Sequence, residues 1–200
     1  MNQLTQKAIE SFKRKGFFVN FFEKPEEALD FIISKIGSSD LGIGGSMTID
    51  ELGWADKLAA RGKLFWHMKA KPEGILEMEN AAPAYITSVN AASADGALVN
   101  IDGNGNRVCA TSYGVGKKVF FVFGENKIEG DIAGALFRAK NIAAPLNARR
   151  LNKKTPCAIK ADKCYNCNSP DRICRVTSII TYPVNKMEMY IIILSGKYGY

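Results

Sequence analysis

Between an apolar stretch and a helical one the chain runs Leu41-Gly42-Ile43-Gly44-Gly45-Ser46-Met47-Thr48. Apolar residues alternate with glycine, the glycines double, and two hydroxyl residues follow. That order describes a buried strand ending in a glycine turn that feeds a helix, expected over residues 49–60. The backbone N–H groups of such a turn, with the positive end of the helix dipole, can hold an anion. Gly44 and Gly45 let the main chain come close to a phosphate or carboxylate, and Ser46 and Thr48 can donate to it. The same residues equally suit a plain helix cap with no ligand.

The rest of the chain repeats the alternation of strand and helix. Residues 3–15 carry Leu4, Ala8, Ile9 and Phe12 on one helical face, and Gly16 ends them. Residues 17–22 read as a buried strand. Pro25, with Glu26 and Glu27 in the first turn, opens a helix that faces Ala28, Leu29, Ile32, Ile33 and Ile36 inward. Further strands are expected over residues 63–68, 85–89, 97–101 and 119–123, and an amphipathic helix over 131–142. This alternation predicts a three-layer α/β domain with a largely parallel sheet. Ligands of such sheets sit beyond the carboxyl ends of the strands, where the glycine turn and the turn at 100–106 both fall.

From Pro145 the pattern changes to a basic loop, four cysteines and two apolar runs, 176–182 and 189–194, separated by Pro183-Val184-Asn185-Lys186. That ending reads as an antiparallel hairpin. The expected organisation is one domain over 1–200, with an α/β core at 1–150 and a cysteine-rich loop plus hairpin at 151–200. A chain of 200 residues, 46% hydrophobic, can bury a core of that kind.

The net charge of +7 is spread along the chain, with its densest patches at Arg149-Arg150 with Lys153-Lys154 and at Lys117-Lys118. No nucleic-acid signature accompanies it, so a solvated basic surface, or one that attracts a small anion, is the better reading. The run at 189–194 is far shorter than the roughly 20 residues of a membrane-spanning helix. No charged-then-apolar leader opens the sequence, and the expected location is the cytoplasm.

Three groups of residues could carry chemistry. Cys157, Cys164, Cys167 and Cys174 follow the spacing C-x6-C-x2-C-x6-C, within a polar, turn-rich segment. Four thiols so spaced can surround zinc or an iron–sulfur cluster. The fifth cysteine, Cys109, reads as a small buried residue. The second group lies between Ser93 and Arg107. Asp95 and Asp102 sit on turns at either end of a short strand and are candidate acids or bases for one shared cleft. Asn100, Asn104 and the bend at Gly103 add hydrogen-bonding reach, and Arg107 can pair with an anion; two Asx-Gly turns bounding a hairpin explain the same residues. Glu51, one helical turn past Met47, either faces the glycine turn as a third candidate acid or complements the helix dipole. The only histidine, His67, follows Phe65-Trp66 and reads as a partly buried structural residue.

Three of these stretches together resemble the LUD domain, the lactate-utilisation family of LutC- and YkgG-like proteins. They are residues 42–53 (GIGGSMTIDELG), residues 93–107 (SADGALVNIDGNGNR) and residues 124–128 (GENKI). The four-cysteine segment ending Ser169-Pro170-Asp171-Arg172-Ile173-Cys174 is similar to the tail of short, single-domain members. The resemblance implies a Rossmann-like fold similar to the NagB/RpiA/CoA transferase-like superfamily. It implies phosphate- or anion-holding at Gly44, Gly45, Ser46 and Thr48, and catalytic acids at Asp95 and Asp102. It further implies a role, as accessory or subunit, in oxidising L-lactate to pyruvate beside iron–sulfur partner proteins. Alternatives are an isomerase- or transferase-like enzyme, or a non-catalytic module, acting on a sugar-phosphate or CoA-type anion. Two positions depart from the family pattern: Ser93-Ala94 stands where Thr-Glu is expected, and residues 195–200 lack an expected acidic residue.

Overall fold

A computed structural model describes all residues from Met1 to Tyr200. Its centre is a six-stranded, wholly parallel sheet in the order β1-β10-β7-β4-β2-β3. These strands are β1 (Phe18–Phe22), β2 (Leu41–Ile43), β3 (Leu64–Phe65), β4 (Ala84–Thr87), β7 (Lys118–Gly124) and β10 (Glu188–Leu194). A second sheet, ordered β8-β5-β6-β9, contains β5 (Ala91–Ser93), β6 (Ala97–Asp102), β8 (Ile128–Glu129) and β9 (Val176–Ile180).

The central strands are apolar because both faces are covered. Along β7, Val119, Phe121 and Phe123 enter one core while Phe120 and Val122 enter the other, as the two-residue strand period requires. The first core is closed by α1 (Gln3–Arg14), through Ala8 and Phe12, and by Ala92, Leu98 and Ile180 of the second sheet. The opposite core receives Leu29 and Ile32 of α2 (Pro25–Ile36), Ile49 of α3 (Met47–Glu51) and Leu58 of α4 (Ala55–Ala59). The outer face of the second sheet packs Ala91, Val99 and Ile101 on Ala135 of α7 (Ile132–Arg138). The result is a three-layer, Rossmann-like α/β fold.

The remaining helices are α5 (Ile75–Ala81), α6 (Asn106–Ser112), α8 (Ala144–Arg150) and α9 (Pro156–Lys160). A π turn over Ala139–Ala143 joins α7 to α8 and ends just before Pro145, which has no N–H for a regular α-helical bond.

Three expectations need correction. The helix expected over 49–60 is two short helices, α3 and α4, parted at Gly53, whose φ of +66° leaves the helical region. The C-terminal hairpin does not form. β9 lies antiparallel on β6, whereas β10 inserts parallel between β1 and β7. The run Tyr190-Ile191-Ile192-Ile193-Leu194 is buried on both sides, which suits a central parallel strand and not one arm of a surface hairpin. The core therefore extends past residue 150. Finally, Cys109 is exposed on α6 and is not a core residue.

Candidate functional site

A cleft of about 710 Å³ opens where the carboxyl ends of β2 and β4 meet the Asp102 end of β6 and the segment 169–175. The glycine turn forms one wall. Gly44 donates its N–H to Ile86 O (3.0 Å), so that amide belongs to the sheet and not to a ligand. A Cβ at Gly44 would stand 2.5 Å from Tyr85 Oη, which explains the glycine. Ser46 Oγ accepts from Ile49 N (3.2 Å) as the N-cap of α3. Gly45 and Ser46 line the cleft, but α3 has five residues and contributes little dipole. The cap reading of the turn describes Ser46, and any anion binding falls mainly to side chains.

Basic side chains from distant parts of the chain gather around this turn, and nothing in the sequence marks them as a group. Lys127, 3% exposed, reaches the turn from the end of β7. Its Nζ donates to Thr48 Oγ1 (3.0 Å), Ser88 Oγ (3.1 Å) and Val89 O (3.2 Å). Burial, then the nearby charges of Arg138 and Arg107, pushes its ammonium down to about 7. Arg138 itself is buried beneath the cleft, donating to Asn90 O (2.6 Å) and Asn126 O (3.1 Å).

Six further cations line the same space: Lys71, Arg107, Arg150, Lys153, Arg172 and Arg175. The lining carboxylates are Asp102 and Asp171, and of the seven cations only Arg107 is ion-paired, with Asp102 (Nε–Oδ2 2.9 Å). Arg150 donates to Asn147 Oδ1, Arg175 to Pro170 O, and Arg172 to Cys167 O. Arg150 and Lys153, part of the densest basic patch of the sequence, both line this cleft.

His67 and Glu79 complete the glycine-turn wall. Glu79 is fully buried on α5, and its Oε1 accepts from both His67 N (2.5 Å) and His67 Nδ1 (2.7 Å). Only the turn-rich segment 66–74 separates the Phe65 strand end from α5, and nothing in sequence marks the pair.

The acidic candidates fall in different places. Asp102 is buried in the cleft wall, where Oδ1 accepts from Asn104 N and Gly105 N (both 3.0 Å) and Oδ2 from Arg107. It organises the entry to α6. Asp95 sits on the turn at the other end of β6 and pairs with Lys7 (3.1 Å), away from the cleft. The shared cleft expected for Asp95 and Asp102 is not formed, because β6 runs between them. Glu51 accepts from Gly199 N (2.7 Å) and fastens the tail that brings Tyr200 to the cleft. Asn100 is buried, its Oδ1 accepting from Asn90 N (3.2 Å). Gly103 and Asn104 line the cleft, and Gly103 lies so close to Ile173 that a Cβ would approach its carbonyl to 3.2 Å.

All five cysteines are free thiols. Arg172 donates to Cys174 Sγ (3.4 Å), and the sulfurs of Cys174, then Cys167 and Cys164, favour its charged form. Cys157 Sγ instead contacts Thr155 Oγ1 (3.3 Å). No three Cys, His, Asp or Glu side chains converge as a metal shell. The segment nonetheless bears on the cleft, since Arg172, Ile173 and Arg175 lie in or beside it and line the wall.

The family model of the LUD domain matches residues 5–194. No curated protein matches the chain. Among solved structures, the crystal structure of a DUF162 family protein from Deinococcus radiodurans is similar, with a TM-score of 0.54 and 11% identity over 97% of each chain. At that identity the likeness concerns the fold alone. No helix is long and apolar enough to cross a membrane.

Proposed function

The chain belongs to the LUD domain family, associated with lactate utilisation, and from that premise we propose that it serves the oxidation of L-lactate, or a related 2-hydroxy acid, to pyruvate. In this reading it holds a small anionic metabolite in the cleft, as an accessory protein or subunit beside iron–sulfur redox partners. The observation that supports it most is the set of six cleft cations with no carboxylate partner. Cations gathered in a concave, partly dry site lower the energy of a bound carboxylate or phosphate far more than they would in open water. Lys71, Arg150 and Arg175 reach the ligand from the rim, while Lys127 and Arg107 supply field from the floor.

A second reading is favoured by the same charge count. Seven cations around 710 Å³ exceed what a three-carbon monoanion requires, and suit a ligand with several charges, a sugar phosphate or CoA-type ester handled by an isomerase- or transferase-like enzyme. Calorimetric titration with L-lactate, pyruvate, inorganic phosphate and a CoA ester separates the two. Either reading predicts saturable binding that falls at least tenfold in the Lys71→Glu/Arg150→Glu double variant. Equal binding by that variant rejects the cleft as the site.

For the four cysteines we propose uptake of zinc or an iron–sulfur cluster, on the strength of their spacing. It would have to draw Cys157 from Thr155 and Cys174 from Arg172. Metal analysis and visible spectra of anaerobically purified protein test this: stoichiometric zinc or iron supports it, and neither metal rejects it.

A further inference from the structure

His67 is oriented in a way that a merely structural histidine does not require. A carboxylate only accepts hydrogen bonds, so the 2.7 Å contact with Glu79 Oε1 puts the proton of a neutral ring on Nδ1. Nε2 is then the free base. It lies over the glycine turn, 3.2 Å from where a Cβ on Gly45 would stand, and His67 and Gly45 both line the cleft. A side chain at residue 45 would cover it.

The side chain of Glu79 hydrogen-bonds to His67 alone. Its Oε1 takes both the backbone N–H and the ring of His67, and its Oε2, fully buried, has no partner among protein atoms. Such a carboxylate is costly to bury, and what offsets the cost is a donor, best of all a positively charged one. A proton arriving at Nε2 makes the ring that donor. The other charged groups around it are Lys71, Lys127 and Arg107, which share the cleft wall, and the Lys69–Asp50 pair at 2.7 Å beside it.

We propose that His67, held by Glu79, is the catalytic base of this cleft, removing a proton from carbon next to the carbonyl of a bound 2-oxo acid. Nε2 takes the proton, the C–H electron pair moves into the new C=C bond, and the carbonyl π pair moves onto oxygen as an enolate. Return of a proton from Nε2 to carbon regenerates the 2-oxo acid, so no oxidant or second substrate enters the balance. The cleft suits this step because negative charge develops on the substrate beside unpaired cations, while positive charge develops on the ring beside a buried carboxylate. The inference rests on the anion-binding reading of the cleft and names its chemistry.

Exchange of the pyruvate methyl protons in D2O, followed by proton NMR with the full chain, tests it. The protein is expected to accelerate loss of the methyl signal over buffer. His67→Gln is expected to reduce the protein-dependent rate about a hundredfold or more while pyruvate affinity, from titration, stays within about threefold. Glu79→Gln keeps the side-chain shape and should fall between the two. Because the chain has one histidine, nitrogen-15 NMR reads its ring without ambiguity: the expected tautomer has Nδ1–H and a bare Nε2, and Glu79→Gln removes that preference. Pyruvate binding without exchange, or equal exchange by His67→Gln, overturns the base and leaves the anion cleft standing. Absence of pyruvate and phosphate binding overturns both.

Discussion

The two walls of the cleft are built on different principles. The glycine-turn wall is buried: Gly44 is tied into the sheet, Lys127 joins Thr48 to Ser88 and Val89, and Glu79 fixes His67. The facing wall, from the end of α8 and residues 153–175, is mostly half-buried or exposed and held by scattered polar contacts. Among them are Lys154 N to Asp171 Oδ2 (3.1 Å) and Arg175 N to Asp102 O (3.0 Å). The first wall has one geometry set by the core, and a change there costs stability. The second carries most of the unpaired charge, and a change there is expected to cost little stability. Under the proposed function, chemistry that needs fixed distances falls to the first wall and selection for ligand charge to the second.

The largest expected effect is at Gly42, where an added Cβ would collide with the Glu79 carbonyl. Gly42→Ala should lower the unfolding free energy by about 3 kcal/mol, measured in urea, and should displace Glu79 from His67. Lys127→Met should cost about 2 kcal/mol by removing the donor shared by Thr48 Oγ1, Ser88 Oγ and Val89 O. It also has a pH signature. Folded Lys127 releases its proton near 7 and the unfolded side chain near its ordinary 10.5. Between those values the unfolded state holds more protons, so this residue makes stability rise with pH by up to about 1.4 kcal/mol per unit. The stability difference between wild type and Lys127→Met should therefore widen from pH 7 to pH 10; a flat difference would show that Lys127 stays charged.

On the facing wall, Arg150→Ala should change stability by less than about 0.5 kcal/mol and weaken phosphate binding about three- to tenfold, more at low salt than at high salt. A large loss of stability there would erase the contrast between the walls. The smallest effect belongs to Asp95→Asn, which removes a half-exposed pair with Lys7 and should move stability by no more than about 0.5 kcal/mol and ligand binding not at all.

Those differences also explain what could be read in advance. Runs such as Val119-Phe120-Phe121-Val122-Phe123 and the helix opened by Pro25 declare themselves locally, because period and capping residues lie within a few positions of each other. β10 could not be placed the same way. A short Pro-Asn connector looks like a hairpin turn, and only the two-sided burial of Ile191, Ile192 and Ile193 reveals a central strand. Asp95 and Asp102 look adjacent in a list of turns, yet six residues of extended chain, about 17 Å between the ends, hold them apart. The Arg150 and Lys153 patch was visible as charge, and Asp102, Asn104 and Arg107 as a turn, although Asp102 proves to organise Arg107 and the α6 entry. His67–Glu79 and Lys127–Thr48 join residues 12 and 79 positions apart, so their meaning exists only after folding.

The central claim, that the unpaired cations of this cleft hold an anionic ligand, is tested most directly by locating a heavy oxyanion in a crystal of the protein soaked with tungstate. The account predicts a tungstate inside the cleft, within hydrogen-bonding reach of at least two of Lys71, Arg150, Arg172 and Arg175, and displaced by phosphate. Ordered tungstate elsewhere on the surface with none in the cleft would contradict it.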